Sequence, residues 1–171
     1  MSSKDASLAN QNLENCPSAE GFKIHIVVSD WNDDITNSLL EGARKTLTQL
    51  NISKDDLEVL HVPGTFELPV AAKMLLKNRA SDAVICLGCV IKGETEHDLF
   101  INQSVANSLS QLSIISGKPI VFGVLTVNNA QQAKDRSGGT YGNKGVEAAV
   151  TAVKMANLYK DLTKPGKSIG F

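Results

Sequence analysis

The chain of 171 residues is short of several features that commonly reveal a protein's class. It has only three cysteines, an odd number that does not fit a disulfide framework in a chain of this size. No apolar run approaches the roughly 18 residues that a membrane-spanning helix needs, and residues 1–20 lack the basic and apolar regions of a secretory leader. We therefore expect a soluble protein of the cytoplasm that binds no membrane.

An excess of either charge is also missing. The 17 basic and 18 acidic residues give a formal net charge of −1, without a basic stripe or an arginine cluster interleaved with aromatic side chains. Nucleic acid is therefore not an expected partner. The length suits one domain, which would bury roughly 70% of the surface that the unfolded chain exposes.

Common cofactor motifs are absent as well. No G-x-G-x-x-G follows a predicted strand, so a dinucleotide site is not expected. The segment from Gly88 to Thr95 has the glycine spacing of a phosphate loop, but Glu94 stands where that loop has its lysine. Cys86 and Cys89 would point to opposite faces of a strand and cannot bind one zinc ion. We predict buried thiols there and no metal site.

The chain does contain an alternation of apolar strands and amphipathic helices. Parallel neighbours need crossover connections, so this alternation predicts the α/β class: a single-domain, three-layer sandwich with a four-stranded parallel sheet, flavodoxin-like in architecture. The predicted strands cover residues 23–29, 57–62, 83–91 and 120–126. Helices are predicted from about 33 to 50, 66–78, 96–116, 130–135 and 145–162.

Local signals fix further expectations. Asp33 or Asp34 is expected to cap the first helix, and Thr65 the second. The inward stripe of the third helix is expected to consist of Leu99, Val105, Leu109 and Leu112. By composition, we predict a disordered arm over residues 1–20, a domain over 21–163 and a C-terminal tail over 164–171.

Polar groups are concentrated in the loops that follow the strands, and parallel strands bring those loops to one edge of the sheet. Trp31, the only tryptophan, is placed to stack on a flat ring, although core packing is the alternative. Glu67 begins a helix and could accept hydrogen bonds from ligand hydroxyls, or serve helix stability alone.

The helix after Thr95 offers an N-terminus to an anion, and Thr95 is equally well explained as its cap. His97 lies in the first turn of that helix, where the positive end of the dipole favours the neutral imidazole that acid–base chemistry needs. An incidental surface histidine is the alternative. His25 and His61 lie within apolar strands and are expected to be structural.

Two cations flank a glycine-rich stretch near the C-terminus. Arg136 precedes it and Lys144 follows it, with nothing obvious to neutralise the two charges. Singly, each is more typical of a solvated surface. Together they are expected to form a cationic pair on flexible backbone that could hold a phosphate.

Five blocks of sequence, in this order, resemble the lumazine synthase family. The resemblance extends over residues 22–162, and its order makes it specific. The blocks are VPGTFELP (62–69), LGCVIKGETEH (87–97), PIVFGVLT (119–126), QAKDR (132–136) and GNKGVEAA (142–149).

The resemblance implies an enzyme of riboflavin biosynthesis. Its reaction condenses 5-amino-6-(D-ribitylamino)uracil with 3,4-dihydroxy-2-butanone 4-phosphate, and yields 6,7-dimethyl-8-ribityllumazine, phosphate and water. The family needs no metal and no redox cofactor. The resemblance also implies a homo-oligomer with active sites between subunits, either a pentamer or a sixty-subunit icosahedral shell. It suggests riboflavin synthase as a partner protein.

The resemblance also assigns roles to individual residues. His97 would transfer protons, and Trp31 would stack on the pyrimidine. Phe122, Arg136 and Lys144 would come from the neighbouring subunit. The ribitylaminouracil site would comprise Trp31, Gly64, Thr65, Phe66, Glu67, Val90, Ile91, Lys92, Phe122 and Lys144, and the phosphate site Gly93, Glu94, Thr95 and Arg136.

Three positions depart from the commoner family pattern. Trp31 replaces a frequent phenylalanine and keeps the capacity to stack, and Thr65 replaces a smaller residue. Asp98 stands where an aromatic residue is frequent, which leaves open which carboxylate orients His97. A flavin-binding carrier is the rival hypothesis, because flavodoxin-like folds bind flavins at the same edge.

Overall fold

A computed structural model of the chain describes residues 13–163. Residues 1–12 of the predicted arm and the predicted tail at 164–171 lie outside the described residues. The strands are β1 (Ile24–Ser29), β2 (Val59–Val62), β3 (Ala83–Ile91), β4 (Ile120–Val127), β5 (Ser137–Gly139) and β6 (Gly142–Asn143). The helices are α1 (Asp33–Gln49), α2 (Leu68–Asn78), α3 (His97–Ser116), α4 (Ala130–Arg136) and α5 (Lys144–Thr163).

The predicted four-stranded parallel sheet is confirmed, with the order β2-β1-β3-β4. β1 and β3 occupy its centre, and every residue of β1 and all but the last of β3 are buried. Their apolar runs fit this position, because a central strand of a covered parallel sheet buries both of its faces.

Side chains on alternate positions of the strands supply two separate cores. Ile24, Ile26 and Val28 of β1 pack with α1 and α5 on one face, and Val27 packs with α2 and α3 on the other. The predicted three-layer sandwich is therefore confirmed. Among the described residues, no helix is both long and apolar enough to span a bilayer.

The two strand cysteines are buried thiols, as predicted. Cys86 belongs to the core under α2 and α3, whereas Cys89 belongs to the opposite core under α1 and α5. Burial raises the pKa of Cys86 to about 12 and that of Cys89 to about 11. The nearby carboxylate of Asp34 adds to the shift at Cys89.

Some local predictions were wrong. Asn32, not Asp33 or Asp34, is the N-cap of α1, and Thr65 lies inside a short 3-10 turn (Thr65–Glu67) that precedes α2. Leu99 is 46% exposed, although Val105 and Leu109 are buried as expected. α3 carries apolar residues around its circumference, so spacing alone could not identify its inward face.

Two segments predicted to lack regular structure are held in place. β5 and β6 form an antiparallel hairpin in the glycine-rich stretch, and the amide of Asn143 donates to the Ser38 carbonyl of α1 at 2.9 Å. The described part of the predicted arm, residues 13–20, packs on the domain. Ala19 is fully buried there, and its N–H donates to the Leu50 carbonyl at 2.6 Å.

A polar cluster closes the edge of the sheet opposite the loops that carry the predicted site. His25 is buried, and its Nδ1 lies 2.6 Å from the Ser81 hydroxyl while its Nε2 lies 3.9 Å from the Glu58 carboxylate. Burial lowers the pKa of His25 below its ordinary 6.5. The Glu58 carboxylate opposes this shift, whereas the positive charges of Arg79 and Lys23 reinforce it.

The lowered pKa of His25 predicts a loss of stability in mild acid. Below pH 6.5 the unfolded chain binds a proton at His25 before the folded chain does, so the free energy of unfolding falls as the pH falls. Urea unfolding from about pH 7 to about pH 5 should show a smaller loss for His25→Gln than for the wild type. The same series on His61→Gln, an exposed histidine, is the reference, and equal losses in all three proteins would contradict the prediction.

Candidate active site

A cavity of about 470 Å³ opens where β1, β2 and β3 end. Ten residues that the sequence assigned to a site line it: Trp31, Gly64, Thr65, Phe66, Glu67, Val90, Ile91, Gly93, Thr95 and His97. The loops after three strands thus meet at one place, as expected for an open parallel sheet.

The cavity exists because β3 is longer than its neighbour β1. The pairing of β1 with β3 ends at Val28 and Leu87, whereas β3 remains paired with β4 as far as Ile91 and Val127. We call residues 88–91 the β3 overhang. The side of the overhang that faces β1 therefore has no strand beside it and forms the floor of the cavity.

The loop after β1 forms one wall. The Asp30 N–H donates to the Val62 carbonyl at 2.8 Å, and the Trp31 N–H donates to the Pro63 carbonyl at 3.2 Å. These bonds continue the pairing of β1 with β2 into the loop. The Trp31 side chain is 73% exposed, so it is not a core residue and presents its ring at the mouth of the cavity.

The loop after β2 forms the opposite wall. Gly64 leads into the 3-10 turn, in which the Glu67 N–H donates to the Gly64 carbonyl at 3.2 Å. Thr65 is buried against Gly88, where an added Cβ would lie 2.8 Å from the Thr65 hydroxyl oxygen. Because Gly88 has no side chain, this turn can lie directly against the β3 overhang. Phe66, the next residue of the turn, is 57% exposed at the rim of the cavity.

The start of α3 closes the third side. His97 is its first residue and is exposed to the cavity, and its N–H donates to the Thr95 hydroxyl at 3.4 Å. The N-cap of α3 is Glu96, which forms no side-chain cap bond, so the alternative that Thr95 caps this helix is wrong. Thr95 lines the cavity, and its hydroxyl accepts this long bond. Asp98 also lines the cavity, but among the described residues no carboxylate is hydrogen-bonded to the His97 ring.

Not every predicted site residue lines this cavity. Lys92 and Glu94 are exposed in the loop between β3 and α3, next to lining residues. Phe122 and Lys144 line a separate depression of about 300 Å³ between β4, α5 and the end of α3. Phe122 pairs with Cys86, which lies five residues before the end of β3. Phe122 is therefore about 16 Å along the strand direction from the end of β3, where the cavity opens.

The prediction that Arg136 and Lys144 lack a neutralising partner is wrong, because the buried carboxylate of Glu147 contacts both cations. Lys144 Nζ lies 2.9 Å from Glu147 Oε2, and Arg136 Nη2 lies 3.5 Å from Glu147 Oε1. The second guanidinium nitrogen, Arg136 Nη1, is buried and has no acceptor among residues 13–163. The two N–H groups of this nitrogen are therefore unpaired within the described residues.

Four lining residues were not assigned to the site from the sequence: Asn32, Cys89, Asp98 and Ile101. Asn32 adjoins Trp31 and could have been found from its position after β1. Cys89 and Ile101 carry no polar signal. Ile101 reaches the cavity because α3 packs on the sheet, and Cys89 borders it because the pairing of β1 with β3 ends at Leu87. The described residues contain no group of three or more His, Cys, Asp and Glu side chains that could hold a metal ion.

Comparison with known sequences identifies the family of the chain. Residues 21–160 match the sequence profile of 6,7-dimethyl-8-ribityllumazine synthase. The chain belongs to this family. Proteins named 6,7-dimethyl-8-ribityllumazine synthase are 45% identical over 151 residues in Porphyromonas gingivalis and 46% identical over 155 residues in Cytophaga hutchinsonii. These alignments cover 88% and 91% of this chain, and 94% and 97% of the relatives.

A third relative of the same name, from Parabacteroides distasonis, is 43% identical over 158 residues, which are 92% of this chain and 99% of the relative. The lumazine synthase resemblance seen in five sequence blocks therefore extends over nearly the whole chain. The flavodoxin-like architecture of the sheet is consistent with this family.

We predict that the Glu147 carboxylate stabilises the folded chain by neutralising Lys144 and Arg136. Glu147→Gln would leave Lys144 and Arg136, both largely enclosed, without their carboxylate, so we expect a loss of about 1–3 kcal/mol in the free energy of unfolding. Glu58→Gln is the matched control. Its ion pair with Arg79 is much more exposed, and its loss should cost less than about 1 kcal/mol. Equal losses in urea titrations would refute the difference.

Proposed function

We propose that the cavity at the β3 overhang is where this chain carries out the reaction of its family. That reaction joins 5-amino-6-(D-ribitylamino)uracil to 3,4-dihydroxy-2-butanone 4-phosphate and forms 6,7-dimethyl-8-ribityllumazine, the penultimate step of riboflavin biosynthesis. The observation that carries the proposal is the convergence of a stacking ring, a carboxylate and an imidazole, from Trp31, Glu67 and His97, on one cavity.

The heterocycle is proposed to lie between Trp31 and the β3 overhang. An exposed indole gives a flat apolar surface for a pyrimidine ring. Val90, Ile91 and Lys92 would border the edge of the ring. The backbone groups of Ile91 would be free to bind it because β1 does not reach this part of β3, whereas the Lys92 N–H already donates to the Val127 carbonyl at 2.8 Å and would leave only its carbonyl for the ring. Glu67 and the turn at Gly64, Thr65 and Phe66 would accept the ribityl chain, whose hydroxyls suit a carboxylate acceptor.

The phosphate is proposed to bind where α3 begins. Gly93 and Thr95 line the cavity at this point, Glu94 lies between them, and the first N–H groups of a helix favour an anion. Arg136 would complete the site from a neighbouring subunit. Its buried Nη1 has no acceptor among the described residues, and its contact with Glu147 is long at 3.5 Å, which supports this role.

The chemistry requires proton transfers at several steps. The free amine of the uracil adds to the ketone and loses water to form an imine, which then loses a proton to give an enol that expels phosphate. The enol left after phosphate departs takes up a proton and becomes a ketone. The ribityl-bearing nitrogen attacks this ketone and closes the ring with loss of a second water. His97 is proposed to accept and return the protons, and holding both substrates together would supply much of the acceleration.

The active sites are proposed to lie between subunits of a homo-oligomer. Phe122 and Lys144 would enter the cavity of the neighbouring subunit, since within one chain they line a different depression. Large apolar side chains of α3 support such contacts, because Phe100, Ile114 and Ile115 are between 65% and 83% exposed. Light scattering would distinguish a pentamer from an icosahedral shell.

We also propose a cytoplasmic location and, at residue 21, the start of the family domain, against which residues 13–20 pack. The three cysteines are free thiols, as is usual in a reducing compartment. The family match, which begins at residue 21, supports the boundary.

Mixing the protein with both substrates tests the function directly. The absorbance band of the lumazine should appear together with released phosphate, and no added metal or redox cofactor should be needed. A yellow, redox-active protein that forms no lumazine would instead indicate the flavin carrier.

His97→Ala is expected to slow the reaction without abolishing it. Loss of acid–base help should lower kcat by about 10²–10⁴-fold, while positioning of the substrates by the other residues continues. His61→Ala is the control, since His61 is exposed and bonded to Asp30 at 2.8 Å. An unchanged kcat in His97→Ala would exclude proton transfer by His97.

Arg136→Ala is expected to weaken binding of the phosphorylated ketone. Removing a charged donor should raise the KM for this substrate by about tenfold or more and leave the KM for the uracil nearly unchanged. Arg79→Ala, which removes an exposed ion pair with Glu58, is the control. An unchanged KM for the ketone would remove Arg136 from the phosphate site.

A further inference from the structure

Asn32 has an unusual backbone for a residue with a side chain. Its φ of 61° and ψ of 50° are left-handed, and among residues 13–163 only Asn51 also combines a side chain with positive φ. Asparagine tolerates this conformation better than most residues, because its short polar side chain can form local hydrogen bonds. At an N-cap such a side chain usually accepts from the first turn of the helix, but that of Asn32 forms no cap bond.

The Asn32 side chain is used elsewhere. Its Nδ2 donates to the carbonyl of Cys89 at 2.9 Å, across the gap left by the end of β1. Leu87 is the last residue of β3 that pairs with β1, so the Cys89 carbonyl has no strand beside it on that side. The amide of Asn32 thus substitutes for the missing strand, and it stops short of Ile91 at the tip of the β3 overhang.

This bond completes the attachment of the loop that carries Trp31. Backbone bonds from Asp30 and Trp31 tie the loop to the end of β2, and the Asn32 amide ties it to β3. The Trp31 ring is 73% exposed, so core packing does not orient it. Its direction is therefore fixed mainly by the backbone of this loop.

We infer that Asn32 is a positioning residue. Its left-handed backbone and its bond to Cys89 hold Trp31 at the distance from Ile91 that a flat ring requires. The inference rests on the proposed function, because it assigns the uracil to the space between these two residues. Asn32 would act on affinity for the uracil, through Trp31, and not on the phosphorylated ketone.

The test compares two substitutions at Asn32 with the same two at Asn51. Asn32→Gly keeps the left-handed backbone and removes the amide, whereas Asn32→Asp keeps the shape and replaces the donor with an acceptor. Asn51 also has a left-handed backbone, with φ of 68°, but it is exposed just beyond the end of α1 and does not line the cavity. Asn51→Gly and Asn51→Asp therefore control for the changes in backbone conformation and charge.

Two measurements are made on each protein. In steady-state kinetics, both Asn32 variants should raise the KM for the ribitylaminouracil substrate about tenfold, while the KM for the ketone stays within about twofold of the wild-type value. In ligand-free protein, time-resolved fluorescence anisotropy should show greater fast motion of Trp31, the only tryptophan, and stronger quenching by acrylamide. The Asn51 variants should match the wild type in both.

Each contrary result has a definite meaning. An unchanged KM for the uracil in Asn32→Gly overturns the inference, and so does a raised KM with unchanged motion of Trp31, because Asn32 would then act by touching the substrate. Equal changes in the Asn51 variants would indicate a general structural effect and also overturn it. If the wild type forms no lumazine, the proposed function fails, and the Trp31 measurements, which need no substrate, still decide whether Asn32 holds the loop.

Discussion

The unequal lengths of two neighbouring strands are the constraint on which the site depends. β3 continues to Ile91 with β4 as its partner, whereas β1 leaves the sheet after Ser29 and turns into the loop of Trp31. The result is a short length of backbone that is firmly held on one side and open on the other. The side chains of the cavity are arranged around this opening by the turns before α1, α2 and α3.

The sequence predicted best those features that one segment determines alone. β3 was predicted with its true bounds, because its apolar run is continuous and ends in a glycine and polar residues. The location of Trp31, Glu67 and His97 at one edge followed from the parallel order of the strands. Thr65 and Gly88 show the limit of such reasoning, since their contact joins the turn before α2 to strand β3 and neither residue signals it.

Contacts that form only because the chain reverses direction between two residues could not be predicted in this way. Glu147 lies on α5, eleven residues after Arg136, and meets it only because the hairpin of β5 and β6 turns the chain back. The consequence is electrostatic. Lys144 is held closely and Arg136 loosely by one carboxylate, so the arginine is the cation that Glu147 neutralises less completely.

The thiols on the two faces of β3 give the fold an internal reporter. With pKa values of about 12 and about 11, Cys86 and Cys89 are thiolates in roughly one molecule in ten thousand or fewer at neutral pH. Alkylating reagents should therefore modify them only when the sheet opens, while the partly exposed Cys16 is within easier reach. Because the two residues face opposite layers, the order in which they become labelled would reveal which pair of helices separates from the sheet first.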